Sequence, residues 1–340
     1  MRMQALSELF HLYAERYFRD SSPLYEALSL QIAKDAELLE LAAHAREGQP
    51  QPNMLFGAVH DLLLRGIDHP LRDFYPSLVS NPGEPALAIG PFQAFCAAYR
   101  NELITLLETK RVQTNEVNRC AYLYPAFCHI YRQSGKPLAL IEVGTSAGLQ
   151  LLWDRYSYSY GTLEVYGGAS AELHLESELV GDKKPFLLPS SPPVASRVGI
   201  DLHVNDLASE ADLRWLNALI WPEHRKRRQH LAKAAACLKR HPVRLIEGDA
   251  LKLIEGVASE VSEDAMLCIF HTHVANQFSA EAKLEWTERL QELGRKRDFY
   301  HLYNNMHDPD LHLDACLNGS WRPMKIAETE GHGRSFTWQV

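Results

Sequence analysis

Residues 137–152, which read PLALIEVGTSAGLQLL, decide the fold that we expect for this chain. Four apolar residues lead into Glu142, and beyond the glycines that follow, the apolar residues recur at helical spacing. Such a pattern predicts a buried strand over Leu138–Val143, a tight loop and the start of a helix. Gly144 can adopt a positive φ where the strand turns, and Gly148 leaves room for close packing or for a ligand. Free N–H groups at that helix start would face a crevice, so we expect a nucleotide-type site here.

The loop departs from the dinucleotide fingerprint G-x-G-x-x-G, because Ser146 stands where the second glycine would be and would crowd a pyrophosphate. Adenosylmethionine has no phosphate. The methyltransferase form of the loop, acid-x-Gly-x-small-x-Gly, fits residues 142–148 with one departure, which is serine in place of glycine at position 146. Thr145 belongs to the same loop. The alternative is a plain strand-to-helix turn without a ligand.

Composition restricts the class of protein. The 340 residues are 46% apolar, enough for a full core and two domains. Acids outnumber Lys and Arg by 43 to 35, which argues against nucleic acid as the main partner. The six cysteines form no C-x-x-C pair and lie mostly in apolar segments, as in reduced cytosolic proteins. Because no stretch of about 20 apolar residues occurs, we expect no membrane span and a cytoplasmic location.

The pattern of the chain changes at Gly135. Residues 1–134 show only helical spacing, with Ser22 as an N-cap before Pro23, so we predict an all-α N-terminal domain. Residues 135–340 alternate strands with helices, which predicts an α/β domain with a mostly parallel, Rossmann-type sheet. Glycines and prolines between about 156 and 193 predict a β-rich insertion over the crevice.

Further strands are expected after Leu138–Val143, and the last two should form a hairpin about Gly331 and Gly333. A terminal hairpin is unlike a simple dinucleotide fold and resembles the methyltransferase arrangement, in which the final strand inserts antiparallel. The predicted strands are Val198–Asp201, Val243–Glu247, Met266–Phe270, Phe299–Tyr303, Met324–Glu328 and Ser335–Gln339.

Acids lie at the ends of the first three predicted strands: Glu142, Asp201 and Asp249. Asp201 ends the second strand, where a carboxylate can accept both hydroxyls of a cofactor ribose. Glu164 lies at the dinucleotide spacing and is the second choice for the same role. Asp249, with Ala250, follows the third strand and can accept from an adenine amino group. Each acid alone can equally be a helix cap or a turn residue.

The fourth strand ends at CIFHTHVANQ, where substrate would be held. We expect His273 and Asn276 to contact substrate and His271 to act as a general base. With His307, these histidines would be the ligands of a metal-dependent hydrolase. No known ligand spacing is present, however, so we expect no metal.

A polar stretch precedes the last helix of the N-terminal half. Its residues Asn115, Glu116 and Arg119 either cap that helix or reach from the helical domain over the crevice to contact cofactor or substrate.

Several segments together resemble a bacterial family known only as a domain of unknown function: VQTNEVNRC, LIEVGTSAGLQLLWDRYSYSYG, GIDLHVND, IWPEHRKRR and IEGDA. The resemblance covers nearly the whole chain. It implies a second half similar to Rossmann-type, adenosylmethionine-dependent methyltransferases, without an assigned reaction or substrate.

The function expected from these observations is methyl transfer from adenosylmethionine to a small acceptor. Such transfer depends mainly on positioning, so it demands no catalytic triad. The alternatives are a non-catalytic nucleotide- or metabolite-binding protein on a degenerate methyltransferase fold, and the metal-dependent hydrolase. The sequence does not decide the oligomeric state.

Overall fold

The computed structural model describes residues 2–168 and 170–340. The chain divides into two compact units: residues 1–114 with 208–229, and residues 115–207 with 230–340. The domain boundary expected near residue 134 therefore falls inside the second unit. The reason is aromatic packing, since the Phe127 ring stacks on Trp153 of the same unit at 4.5 Å.

The first unit consists of helices, and no strand occurs among its described residues. Ser22 accepts a hydrogen bond from Tyr25 N, which confirms the predicted cap before Pro23. The core is aromatic, with Tyr25 stacked on Phe56 at 4.2 Å. The α-helices of this unit are α1 Arg2–Tyr13, α2 Pro23–Ile32, α3 Ala36–Ala42, α4 Gln51–Leu64, α5 Ile89–Ala98, α6 Arg100–Thr109 and, later in the chain, α8 Glu210–Ala218. The helix between α6 and α8, α7 Cys120–Ser134, belongs to the second unit.

The second unit holds the strands. α9 Arg225–Arg240 crosses the boundary between the units, and α10 Ala250–Ser259 and α11 Ala280–Gly294 lie wholly in the second. The strands are β1 Leu138–Val143, β2 Ser157–Ser159, β3 Tyr166–Gly167, β4 His174–Glu176, β5 Glu178–Val180, β6 Val194–Asp201, β7 Arg244–Glu247, β8 Met266–His271, β9 Phe299–Tyr303, β10 Leu311–Leu317, β11 Ser320–Arg322, β12 Lys325–Thr329 and β13 Ser335–Trp338.

A largely parallel sheet forms the centre of this unit, which confirms the predicted α/β class. Its strand order is β5-β13-β12-β10-β9-β8-β1-β6-β7, and the run from β9 to β7 is parallel throughout. All six residues of β1 are buried, as expected for a central parallel strand. The chain leaves β1 toward β6 and β7 and returns on the other side at β8. The strand order thus reverses between β1 and β8, where α/β sheets commonly bind ligands.

The expected insertion of the final strand is wrong. β10, which the sequence analysis missed, lies antiparallel beside β9, and the hairpin of β12 and β13 continues the sheet beyond it. The signal was present, because Leu311, Leu313, Ala315 and Leu317 alternate with other residues at the period of a strand.

The helix expected after the loop is not an α-helix. Leu149–Arg155 forms a 3-10 helix preceded by Gly148 in the left-handed region. Side chains capture the carbonyls that an α-helix would use: Tyr156 Oη donates to Leu149 O at 2.8 Å and Arg197 Nε to Leu151 O at 3.0 Å. The expected row of free N–H groups at an α-helix start is therefore replaced by a short, irregular turn.

The segment predicted as a β-rich insertion contains four short strands. β2, β3 and β4 form a separate three-stranded sheet, and β5 pairs with β13 at the edge of the main sheet.

Candidate functional site

Backbone hydrogen bonds hold the loop after β1, one to strand β6 and one within the loop. Gly144 N donates to Ile200 O and Gly148 N donates to Thr145 O, both at 2.8 Å. Gly144 and Gly148 have φ values of 72° and 78°, and Ser146 also has a positive φ of 52°. The position where a dinucleotide loop has glycine thus holds a serine in a conformation that L-residues rarely adopt.

Asp201, the predicted ribose acid, lies against this loop. Its Oδ2 accepts a hydrogen bond from Ser146 N at 2.8 Å and its Oδ1 accepts one from His203 N at 3.1 Å. Burial raises the pKa of the Asp201 carboxyl, and these two N–H groups oppose the rise. The structure therefore brings together two residues predicted to bind cofactor, Asp201 and Ser146.

Glu142 is buried at the end of β1. Thr145 Oγ1 donates to its Oε2 at 2.6 Å. Burial raises the pKa of the Glu142 carboxyl from its ordinary value of 4.5 to about 8, although the Thr145 hydrogen bond acts in the opposite direction. The carboxyl is therefore mostly protonated at pH 7. Its hydrogen bond with Thr145 connects the loop to the end of β1.

Asp249 and Ala250 follow β7 at the same edge of the sheet. Asp249 Oδ1 accepts from Leu251 N at 3.0 Å, so the side chain caps α10, whose first residue is Ala250. Glu164 is exposed, and its nearest partner is the hydroxyl of Tyr166 within the insertion.

The space over the two loop glycines is filled by side chains. A Cβ at Gly144 would stand 2.5 Å from Cγ2 of Val274, which lies in the segment after β8. At Gly148, a Cβ would stand 2.9 Å from side-chain atoms of Leu245 and Val243. The glycines therefore permit close packing of the protein on itself in this structure.

The residues expected to reach the loop from the helical half belong to the second unit and do approach it. Asn115 Nδ2 donates to Thr145 O at 2.7 Å. Glu116 is 4% exposed, and its Oε2 lies 3.5 Å from His332 Nδ1. Arg119 Nε donates to Gly331 O at 2.9 Å in the turn between β12 and β13.

His271, the predicted general base, is a core residue. It is fully buried, its ring packs among those of Trp286, His301 and Tyr303, and neither ring nitrogen has a hydrogen-bond partner in the described chain. Burial lowers the pKa of the His271 imidazole to about 3. A substrate cannot touch this side chain as it stands.

His273 faces the site instead. Its backbone N donates to Asn304 Oδ1 at 2.7 Å, and its φ is 59°. Burial, followed by the positive charge of Arg119, lowers the pKa of the His273 imidazole to about 3, so the ring is neutral at pH 7. Asn276 lies in the 3-10 turn Ala275–Gln277 and is exposed.

Four further residues of the site were missed. Thr272 Oγ1 donates to Gln150 Oε1 at 3.0 Å, and Gln150 Nε2 donates to Glu116 O at 3.2 Å. Asn304 follows β9, and His332 lies in the final turn. The rule that parallel strands end at one edge predicts Asn304, but only tertiary structure predicts His332. We call the following set the edge cluster: Glu116, Arg119, Gln150, Thr272, His273, Asn304 and His332.

Backbone strain marks the same edge. Among the described residues, five other than glycine have a positive φ, and three of them follow β1, β8 and β9: Ser146, His273 and Asn305. Each such conformation costs about 1–3 kcal/mol and persists only where the surrounding structure enforces it. Its recurrence after three neighbouring strands marks their carboxyl ends as the candidate site.

No three His, Cys, Asp or Glu side chains in the described part of the chain lie together in a way that could hold a metal ion. His271 lies in the core and His307 is exposed, so the histidines of the hydrolase alternative are not brought together.

The fold and the candidate site define an α/β protein. At the point where its parallel sheet reverses strand order, the edge of the sheet carries polar side chains and strained backbone. The model of a family described as "Uncharacterized protein conserved in bacteria (DUF2332)" matches residues 7–338, so the chain belongs to this family, as its motifs indicated. No curated protein and no solved structure matches the chain. None of the helices in residues 2–168 and 170–340 is long and apolar enough to cross a membrane.

Proposed function

We propose that the second unit binds adenosylmethionine at the carboxyl ends of β1 and β6 and transfers its methyl group to a small polar acceptor. The observation that carries the proposal is the position of Asp201, whose carboxylate lies against the loop after β1 and bonds Ser146 N. A ribose acid in a doubly wound sheet is expected at the end of the strand next to the glycine loop.

The nucleoside half of the cofactor fits the residues present. Asp201 lies at the carboxyl end of β6 beside the loop and presents carboxylate oxygens, the acceptors that ribose hydroxyls need. Asp249 uses Oδ1 to cap α10, and its Oδ2, which lies 3.9 Å from Lys252 Nζ, is the oxygen that would accept from an adenine amino group. These two acids end the neighbouring strands β6 and β7, as the two ends of a nucleoside require.

The space for the rest of the cofactor depends on Val274. Its side chain stands over Gly144, where a ligand would approach the loop, so binding requires this side chain to move. When bound, adenosylmethionine supplies an electrophilic methyl group on a sulfonium, and transfer then depends on the alignment of the acceptor.

The edge cluster is suited to hold that acceptor. Arg119 is a fixed cation, and the Nε2 atom of His273 is buried without a hydrogen-bond partner in the described chain. Such groups are expected to meet a ligand or water, because an unsatisfied buried polar atom is costly. The neutral imidazole of His273 can accept a hydrogen bond from an acceptor hydroxyl or amine and so orient its lone pair.

Calorimetric titration with adenosylmethionine and adenosylhomocysteine tests the cofactor site. Asp201→Asn keeps the size and one acceptor but removes the charge. A hydrogen bond to a charged group is worth about 1.5–3 kcal/mol, so affinity should fall roughly 10- to 150-fold. Glu164→Gln is the matched control and should bind as the unaltered protein does. Equal affinity of a folded Asp201→Asn protein would overturn the proposed ribose contact.

A non-catalytic binding protein is the second candidate, because two features reduce the space for a cofactor beside the loop. One is the irregular 3-10 turn Leu149–Arg155, and the other is the Val274 side chain over Gly144. The two candidates separate by turnover. Adenosylhomocysteine formation would be followed with a panel of small amines, carboxylates and thiols. Cofactor binding without product from any acceptor class would favour the binding protein.

A further inference from the structure

A cavity of about 270 Å³, separate from the candidate site, lies on the face of the sheet that α11 covers. It is bounded by α11, by β9, β10 and β11, and by the segments that follow β9 and β11. Its lining residues are Thr287, Leu290, His301, Tyr303, Met306, His307, His312, Asp314, Trp321 and Pro323.

Strand register builds its wall. His312 lies opposite Tyr303 and Asp314 opposite His301 across the antiparallel pair of β9 and β10, so all four share one face. The His301 and Tyr303 rings stack at 4.3 Å, and the Tyr303 and His312 rings at 5.3 Å with an interplanar angle of 12°. The result is a continuous aromatic surface, and the Trp321 indole also lines the cavity.

A buried carboxylate lies among these rings. Asp314 is 5% exposed; its Oδ2 accepts from Tyr303 Oη at 3.2 Å, while its Oδ1 has no partner of hydrogen-bonding geometry in the described chain. Burial raises the pKa of the Asp314 carboxyl, and the Tyr303 hydroxyl, the Met324 amide and the Trp321 indole oppose the rise. A carboxylate of this kind is favourable only when a cation or further donors reach it.

The basic side chains that line the cavity in the described part of the chain are histidines: His301, His307 and His312. The described residues that line the cavity include neither lysine nor arginine. The Lys283 ammonium donates to the carbonyls of Asn305 and Met306 at 2.9 Å, and Lys325 pairs with Asp310 and Glu328. The aromatic rings and the carboxylate therefore share one cavity without a lysine or arginine counter-ion, and His312, whose positive charge would lower the pKa of the Asp314 carboxyl, pairs with Asp308 at 2.8 Å.

We propose that this cavity binds a small organic cation, an alkylammonium or quaternary ammonium group, with the Trp321 indole as aromatic wall and Asp314 as counter-ion. Aromatic faces attract ammonium groups when water is excluded, and a carboxylate selects the charge. At about 270 Å³ the cavity admits a compact ligand and falls below the range of about 300–1,000 Å³ usual for drug-sized molecules.

The test uses choline and its neutral isostere 3,3-dimethylbutan-1-ol, which share a shape and differ in charge. Titration followed by calorimetry and by tryptophan fluorescence should detect choline, with the alcohol binding at least tenfold more weakly. Equal affinities for both probes, or no binding of choline up to millimolar concentration, would contradict a cation site.

Variants assign the site. Asp314→Asn should lower the affinity for choline at least tenfold and leave the affinity for the alcohol unchanged. Asp310→Asn is the control, because Asp310 immediately precedes β10 but pairs with Lys325 outside the cavity, and it should change neither affinity. If Asp314→Asn does not fold, Trp321→Leu at the partly exposed strand β11 is the substitute and should weaken choline similarly. Asp201→Asn should bind choline normally, so this inference stands or falls separately from the cofactor proposal. Unaltered choline binding in the folded Asp314 or Trp321 variant would place the probe elsewhere.

Discussion

Val274 controls access to the loop after β1 at the scale of a single residue. Its branched side chain occupies the space that a Cβ at Gly144 would need, although Gly144 is the residue expected to let a ligand approach. The hydrogen bonds around Asp201 favour the proposed ligand at this loop, and the Val274 side chain opposes one. In the cofactor site proposed above, the affinity is therefore the difference between these two effects.

Val274→Ala should tighten adenosylmethionine binding, because less side chain has to be displaced from Gly144. Val274 is only half-buried, so the loss of two methyl groups should leave the fold intact. We expect a threefold to tenfold gain by calorimetry, roughly 0.6–1.4 kcal/mol. Val243→Ala is the control, since its side chain packs over Gly148, at the other end of the loop. An equal or weaker affinity of Val274→Ala would show that the ligand, if any, avoids Gly144.

The hairpin of β12 and β13 completes the edge cluster at the scale of an element. It docks through Asn118, whose Nδ2 donates to Gly333 O at 2.7 Å, and through Arg119, which donates to Gly331 O. Gly333 has a φ of 73°, and a Cβ there would stand 2.5 Å from Asn118 O. The hairpin can therefore approach only because residue 333 has no side chain.

Gly333→Ala should displace this hairpin, because the new methyl group meets a backbone carbonyl that cannot turn away. Gly319→Ala is a matched control, since Gly319 has a φ of 71° but open space around its Cβ position. Left-handed strain alone costs about 1–2 kcal/mol, and overpacking adds roughly 1–3 kcal/mol. Urea unfolding should show the smaller loss for Gly319→Ala and the sum for Gly333→Ala. Similar losses in both variants would mean that the hairpin is not held closely.

Buried titratable groups set the pH response at the scale of the whole molecule. Glu142 keeps its proton in the folded chain between pH 4.5 and about 8, where the unfolded chain has lost it, so its contribution to stability falls as pH rises through this range. His271 stays neutral in the folded chain down to about pH 3, whereas the unfolded chain binds a proton below 6.5, so stability falls as pH drops.

Two variants should remove these opposite dependences. Glu142→Gln keeps the Thr145 hydrogen bond and should gain stability relative to the unaltered protein as pH rises from 5 to 8, by an upper bound of about 4 kcal/mol. His271→Leu removes two unpartnered ring nitrogens and should gain stability as pH falls from 6.5 to 4.5. Urea unfolding at several pH values measures both. Difference curves that do not change with pH would rule out these titrations.

The sequence by itself determined the parallel strands β1, β6, β7, β8 and β9, because uninterrupted apolar runs and the turns that end them are local signals. It also predicted the family, through motifs along nearly the whole chain. That Asp201 and Ser146 meet follows from the rule that neighbouring parallel strands end at one edge.

Only the tertiary structure decided what those residues face. A strand end such as His271 points to one face or the other by its register, and pairing with Tyr303 places it in the core rather than at the edge. Tyr156 and Arg197 turn the expected helix into a 3-10 turn by capturing its carbonyls, and β10 enters the sheet beside β9. Val274 covers Gly144 from a segment 130 positions away. Each of these outcomes depends on contacts between residues distant in the chain, which local patterns of polarity and spacing do not encode.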